Sequence, residues 1–544
     1  MHQSAHLDSF ARERLPAPSL QPAFRFELPE LQFGARLNCA TELLDRWVAQ
    51  GQGSRLCLQG NGERWTYARL QEQANRIARV LVQDMGLVPG NRVLLRAWNE
   101  PMLAACWFAV MKAGGIAVTT MPLLRAKELG QIIAKAQVSH ALCDAGLLEE
   151  LQQAGASQPA LRELSCFHDA GPRSLEHRMA RHPADFTNVD TAADDVCLLA
   201  FTSGTTGLPK ATMHFHRDVM AVCACWPRHV LRATAEDVFI GSPPLAFTFG
   251  LGGLLLFPMH IGASSVLLPR ASPPQLLDAV QGYQASVLFT APTCYRAMAA
   301  EAARRRLGAP QGGPLRLCVS AGEALPPATR GLWKQATGVE LIDGIGATEL
   351  LHIFISADPD RARPGATGTV VPGYRACVMD EHGRPTPPGV VGRLAVQGPT
   401  GCRYLDDEAR QRQYVQDGWN YTGDAYLLDA DGYYHHQART DDLIVSAGYN
   451  IGAPEVEEAL LAHEAVAECA VIGVPDPDRG QRVKAFVVLR EGWAPSEALI
   501  GLLQDFVKAS IAPYKYPRTI EFLPALPRTE TGKLQRYKLR EPRP

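Results

Sequence analysis

Short runs of β-branched residues alternate with longer amphipathic stretches through most of the chain, and this rhythm constrains the fold more than any other feature. "RVLLRAW" is followed by "EPMLAACWFAVMKAGG" and then "IAVTTMP"; further on, "ASVLFTAPT" leads into "CYRAMAAEAARRR" and then "LRLCVSAGEAL". Strand, helix, strand in that order predicts an α/β chain built on wound sheets, whose ligand-binding loops gather at the carboxyl ends of the strands. The final hundred or so residues change character. After "DGYYHHQARTDDLIVSAGYNIGAPEVEEAL" come the shorter units "ECAVIGVP" and "VKAFVVLR", a helix "SEALIGLLQDFVKASI" and a basic tail "PRTETGKLQRYKLR". The expected organisation is a large N-terminal unit over 1–440 and a small, mobile α+β unit over 441–544.

A chain of 544 residues is too long for one ordinary core, which agrees with more than one domain. Its 54 Lys and Arg nearly balance 56 Asp and Glu, so no electrostatic footprint points to nucleic acid or an anionic membrane as partner, and a small molecule is expected instead. The 13 cysteines include no C-x-x-C pair and read as reduced, buried thiols in a cytoplasmic protein. The N-terminal stretch "MHQSAHLDSFARERLPAP" has no apolar core of the signal-peptide kind. Gly241 to Pro269 carries no formal charge and has the length of a membrane span. Pro243, Pro244 and Pro258 are expected to break any single helix there, leaving a buried loop–helix–strand unit.

The stretch "FTSGTTGLPKATMHFH", Phe201 to His216, is the most chemically specific part of the chain. Thr202, Ser203, Gly204, Thr205, Thr206 and Gly207 form a hydroxyl-rich turn directly after an apolar run, and the backbone N–H groups of such a turn can converge on an anion, phosphate above all. It is not a nucleotide P-loop. That motif needs Lys immediately after its second Gly, whereas Leu208 and Pro209 intervene before Lys210, and Ala211 follows.

Five further segments follow in order: "AGEAL" at 321–325, "GIGATE" at 344–349, "YTGD" at 421–424, "ARTDDLIVSAGYNI" at 438–451 and "PRTETGK" at 527–533. With the Thr202–Lys210 loop they resemble the adenylate-forming family of acyl-CoA synthetases, peptide-synthetase adenylation domains and luciferases, over nearly the whole chain. Two departures are visible: Ala211 stands where the family usually has Gly, and "GIGATE" replaces a commoner aromatic-containing version.

The resemblance implies ATP and coenzyme A as co-substrates, Mg²⁺ as the metal and a two-step reaction: a carboxylate attacks the α-phosphate of ATP to make acyl-AMP, and a thiol then displaces AMP. Charge that builds on phosphate oxygens is met by preorganised cations and N–H donors. By the same resemblance Lys210, Thr348 and Glu349 join the catalytic set, with Glu349 holding Mg²⁺ as a hard carboxylate ligand. Gly322, Glu323, Ala324, Asp343 and Gly344 would line the adenine. Asp424 would accept hydrogen bonds from the ribose hydroxyls, and Arg439 would touch ribose or phosphate. Lys533 matches the mobile lysine of the first step, Asp441 the hinge, and Gly448 the residue that admits the CoA thiol after rotation of the C-terminal unit.

Substrate choice falls to segments these motifs leave open. "PPLAFTFGLGG" and "GIGATELLHIFIS" resemble benzoate– and 2-aminobenzoate–CoA ligases, with 2-aminobenzoate foremost. Phe247, Thr248 and Phe249 would form one wall of a flat slot and Ile353 another, with His352 near the ring or carboxylate. Phe247 and Phe249 also fit as ordinary core aromatics. Benzoate or another small aryl acid, an enzyme that loads a carrier protein instead of CoA, a luciferase-like oxygenase and a non-catalytic nucleotide-binding scaffold stay open, as does a homodimer.

Overall fold

The structure is a computed structural model that describes residues 3–60, 62–202, 209–305, 313–439, 443–446, 449–476, 480–511, 513–528 and 534–540. Two wound α/β sheets carry the bulk of the N-terminal part. One has six strands in the order Glu163–Phe167, His140–Asp144, Arg92–Arg96, Ile116–Thr119, Val196–Thr202 and Lys210–Phe215, parallel except for the last pair. The other has nine, with a parallel centre running from Leu341–Gly346 through Leu317–Ser320, Val287–Thr290, Val238–Gly241 and Ser264–Val266 to Leu56–Gly60. Strands such as "VLFT" and "LCVS" are buried along their whole length, as parallel strands covered on both faces must be.

The helix Pro101–Lys112 shows how completely the interior is filled. Proline opens it, where a missing N–H costs nothing, and every residue from Pro101 to Lys112 is buried. Lys112 is tolerated because its ammonium meets the Asp45 carboxylate and the Asn188 side chain.

A five-stranded, largely antiparallel sheet follows, built on Arg375–Met379, Val391–Gln397 and Trp419–Leu428, with Tyr434–Arg439 paired to the last of these. The C-terminal part has a five-stranded sheet of its own, in which Val466–Asp476, Gly480–Leu489 and Thr519–Phe522 are neighbours. The helices Ala453–Leu461 and Glu497–Ser510 pack on it through Val456, Leu460, Leu499, Leu503 and Val507. The chain is therefore α/β, with a large N-terminal assembly of sheets and a small C-terminal α+β unit.

The uncharged stretch around 241–269 is largely buried from Gly250 to Leu267 and half-buried before it, but it differs from expectation in one respect. Helical backbone runs from Thr248 to Ile261 straight through Pro258. A π-turn at Gly252–Leu256 lies just before the proline, and this local widening accommodates the residue that lacks an N–H. The helix stops instead at Gly262, whose φ of +74° makes a left-handed cap. No described helix is long and apolar enough to cross a membrane. The 13 cysteines are all free, and 11 of them are buried.

Candidate functional site

Thr202 and Lys210 face each other at the open end of an antiparallel hairpin. Ser203, Gly204, Thr205, Thr206 and Gly207 lie outside the described residues. Lys210 extends its ammonium to 5.9 Å from the ring centre of Tyr404. Tyr404 is brought there by backbone pairing, since Arg403 accepts from the Met213 N–H at 2.8 Å and Leu405 donates to Ala211 at 2.9 Å. Arg403 fixes this segment from below. Its fully buried guanidinium donates to Asp218 at 2.7 Å and stacks on Phe215 and Phe24 at 4.0 and 4.2 Å.

The short turn Thr348–Leu350 follows the strand Leu341–Gly346 and presents Glu349 to this group. The Tyr404 hydroxyl donates to Glu349 Oε1 at 2.5 Å, and the Thr348 carbonyl accepts from His214 Nε2 at 2.8 Å. Burial pushes His214 down to about 4, so the ring is neutral and carries its proton on Nε2. Among the described residues Glu349 is oriented by a phenol and forms no salt bridge, with Arg439 in electrostatic reach. A carboxylate held in this way is a suitable hard-oxygen ligand for Mg²⁺.

Asp424 and Arg439 sit opposite each other on paired strands and are joined at 2.9 Å, and Arg439 also donates to the Thr422 carbonyl at 3.1 Å. Gly423 is required between them: its φ is +76°, and a Cβ there would lie 2.8 Å from Arg439 Nη2. Tyr414, whose buried hydroxyl has no hydrogen-bond partner, sits within electrostatic reach of Glu349, Asp424 and Arg439. The adenine candidates follow the ends of neighbouring strands. Gly322, at φ +90°, comes just after Leu317–Ser320, and Asp343 pairs with Ser320. Burial pushes Asp343 up to about 7, against the opposing charge of Arg330. Glu323 is half-buried, and Ala324 is exposed.

The aryl candidates form a different kind of surface. Phe247, Thr248 and Phe249 are half-buried at the start of the helical run, and Phe249 lies 5.6 Å from Phe289 and 5.8 Å from His352. His352 is enclosed by rings, with Phe257 edge-on at 4.5 Å and Trp226 at 5.6 Å. Neither of its ring nitrogens makes a well-formed hydrogen bond, and burial pushes it down to about 3 with only the Phe249 backbone opposing. Gly252 makes room for it, because a Cβ there would fall 2.4 Å from His352 Cδ2. Ile353 packs under Gly344, 2.9 Å from where a Cβ would be.

Between Glu349 and His352 the chain reverses through Leu351, a buried non-glycine residue at φ +71°. That strained turn aims one side chain toward the phosphate candidates and the other into the aromatic group. Asn99 positions the opposite wall, donating to the Pro243 carbonyl at 2.9 Å and accepting from the Leu245 N–H at 2.8 Å. Tyr404, Tyr414 and Asn99 carry no signature that sequence reading found; the "CRYL" run after a strand was the only available hint for the first. Asp441, Gly448 and Lys533 lie outside the described residues, although Arg528 and Leu534, which flank the last, are bridged.

Two wound sheets meeting a phosphate-type hairpin, with a separate α+β unit at the end, define the architecture of an adenylate-forming enzyme. The chain belongs to the AMP-binding enzyme family, whose main domain matches residues 44–403 and whose C-terminal domain matches 455–533. It is 35% identical over 517 residues to a benzoate–CoA ligase of Thauera aromatica, covering 94% of this chain and 97% of that one. It is 32% identical to a 4-hydroxybenzoate–CoA/benzoate–CoA ligase of Rhodopseudomonas palustris, covering 93% and 94%. Among solved structures, an anthranilate CoA ligase in complex with anthranoyl-AMP superposes with a TM-score of 0.87 at 34% identity, over 94% of this chain and 98% of that one.

Proposed function

We propose that the protein is an ATP-dependent aryl acid–CoA ligase acting on 2-aminobenzoate. The aryl carboxylate attacks the α-phosphorus of ATP, pyrophosphate leaves, and the CoA thiol then displaces AMP from the mixed anhydride to give the thioester. In the first step Lys210, Thr202 and the hydroxyl-rich loop receive the phosphates, while Tyr404 holds Glu349 in place as the Mg²⁺ ligand. When bound, Mg²⁺ would neutralise charge on the phosphate oxygens. Asp424 and Arg439 orient the ribose. Lys533 serves the first step only, Asp441 is the hinge, and Gly448 faces the site after rotation of the C-terminal unit.

The observation that carries the substrate reading is His352, a neutral imidazole enclosed by Trp226, Phe249 and Phe257, with a poorly formed contact to the Phe249 backbone and no well-formed hydrogen bond at either nitrogen among the described residues. A planar ring suits the aromatic walls. An ortho amine supplies an N–H to the free acceptor nitrogen, relieving a cost of about 1–3 kcal/mol for a buried unpaired group. Benzoate is the second reading, favoured by identity to benzoate–CoA ligases along the whole chain. A panel of carboxylic acids assayed for pyrophosphate release with and without CoA tests the proposal. Small aryl acids should lead, and preference for acetate or octanoate over every aryl acid would overturn the substrate while leaving the adenylation chemistry standing.

A further inference from the structure

Outside the nucleotide and aryl surfaces, the six-stranded sheet gathers a second group of chemically capable side chains. Glu100 follows the strand Arg92–Arg96 and directly precedes the helix Pro101–Lys112; Asp144 ends the strand His140–Asp144; His168 comes immediately after Glu163–Phe167. These three strands are parallel neighbours, so all three residues emerge at the same carboxyl edge. One ligand atom from each lies within 4.8 Å of the others.

The geometry distributes roles among them. His168 Nδ1 lies 2.8 Å from Asp144 Oδ2, which places a proton on Nδ1; an ion at Nε2 would displace the second proton that the surrounding carboxylates of Asp144, Glu100 and Glu176 favour on the ring. Nε2 is 3.8 Å from Glu100 Oε2, so an ion between them at about 2.0–2.2 Å from each needs little adjustment. The Glu100 side chain is only 7% exposed, and its Oε1 is buried with no hydrogen-bond partner. Burial pushes the Glu100 carboxyl up to about 7, so a cation that holds it ionised competes there with a proton. Glu176, whose Oε1 accepts from the His168 backbone N–H at 2.7 Å, also has its Oε2 buried and unpartnered among the described residues. The His168 side chain is 48% exposed and leaves a way in from solvent.

We infer that Glu100 and His168 form a binding site for a borderline divalent cation of the zinc type, with Asp144 as the carboxylate that orients the histidine. A carboxylate–histidine–metal arrangement of this kind sets ring orientation and raises the basicity of the ligating nitrogen. The imidazole selects against Mg²⁺ and Ca²⁺, which take oxygen ligands. The ion acts as a structural clamp. Glu100 is the neighbour of Asn99, which holds Pro243 and Leu245, so an ion on Glu100 stiffens the turn that supports the aryl wall.

The test uses the full-length protein after chelation and dialysis, titrated with Zn²⁺, Co²⁺ and Mg²⁺ and followed by calorimetry and thermal melting. The expected result is one saturable Zn²⁺ site that raises Tm, no Tm response to Mg²⁺ at the same concentration, and Co²⁺ absorption without thiolate charge transfer. Glu100→Gln and His168→Ala should each weaken Zn²⁺ binding at least about tenfold, and Asp144→Asn by about 10–100-fold. Glu100→Gln preserves shape, so it serves if His168→Ala does not fold. Absence of saturable Zn²⁺ binding overturns the proposal. So does binding unchanged in Glu100→Gln with a thiolate band for Co²⁺, which would place the ion at the buried Cys39, Cys197 and His216 group instead.

Discussion

The candidate nucleotide side and the candidate aryl side of the site lie on either side of one strained residue, Leu351, yet they are built on opposite principles. Toward the nucleotide, charged groups are held by named partners: Tyr404 on Glu349, Arg439 on Asp424, and Arg403 on Asp218 behind them. Toward the aryl candidates, His352 is held by ring packing and makes no well-formed hydrogen bond among the described residues. The difference follows from what each side must do. Phosphate chemistry needs charge fixed in advance, because reorganising dipoles at the moment of reaction costs rate. A slot for a flat ring gains about 25 cal/mol per Å² of apolar surface removed from water and uses polar atoms sparingly, for discrimination.

The largest expected effect comes from removing the support beneath the nucleotide side. Arg403→Leu leaves Asp218 buried and unpaired, which should cost about 3–5 kcal/mol of folding stability, measured by denaturant unfolding. The double variant with Asp218→Leu should recover a substantial part. A single-variant loss under about 1 kcal/mol would mean that the buried pair does not hold the Tyr404 segment. Next comes Lys533→Ala, which should slow acyl-AMP formation by about 2.7–4 kcal/mol, the scale of one lost transition-state contact, and spare thioester formation from supplied acyl-AMP. Equal loss in both half-reactions would remove the distinction between the two poses.

Tyr404→Phe sharpens the comparison at smaller scale. Losing a hydrogen bond to a charged group should cost about 1.5–3 kcal/mol in kcat/KM for ATP, with KM for the aryl acid unchanged. If the aryl KM moves as much, the two sides are not independent. The last contrast is in pH dependence, where the two sides have opposite signs. Asp343, raised to about 7, gives stability that is complete below its unfolded value near 3.8 and is lost as pH rises through 7. His352, lowered to about 3, gives stability that is present above 6.5 and is lost as pH falls toward 3. Asp343→Asn should therefore flatten Tm against pH on the neutral side and His352→Asn on the acid side.

The same contrast explains what could be read before the structure. The wound sheets were legible because strands buried on both faces must be continuously apolar, and the motifs of the candidate phosphate side stood out because glycine, hydroxyl and charge recur in them at short spacings. Tyr404 was not legible: it reaches Glu349 from 55 residues away, and a single tyrosine leaves no periodic trace. Asn99 reaches Pro243 across 144 residues and was missed for the same reason. Pro258 misled because its rule describes an α-helix, and the π-turn before it changes the backbone to which the rule applies. His352 stood out in the sequence as a candidate for the slot, but its enclosure by three rings from distant segments was not legible.

The central claim is that the unpaired imbalance at His352 distinguishes an amino-substituted ring from a plain one. The direct measurement is the ratio of kcat/KM for 2-aminobenzoate to that for benzoate, in the unmodified protein and in His352→Phe, with octanoate as a size control. The account predicts a ratio of about 5–150 in favour of 2-aminobenzoate, as one relieved polar group of about 1–3 kcal/mol implies, falling to near one in the variant while benzoate is still used. A ratio that is unchanged by His352→Phe would contradict it.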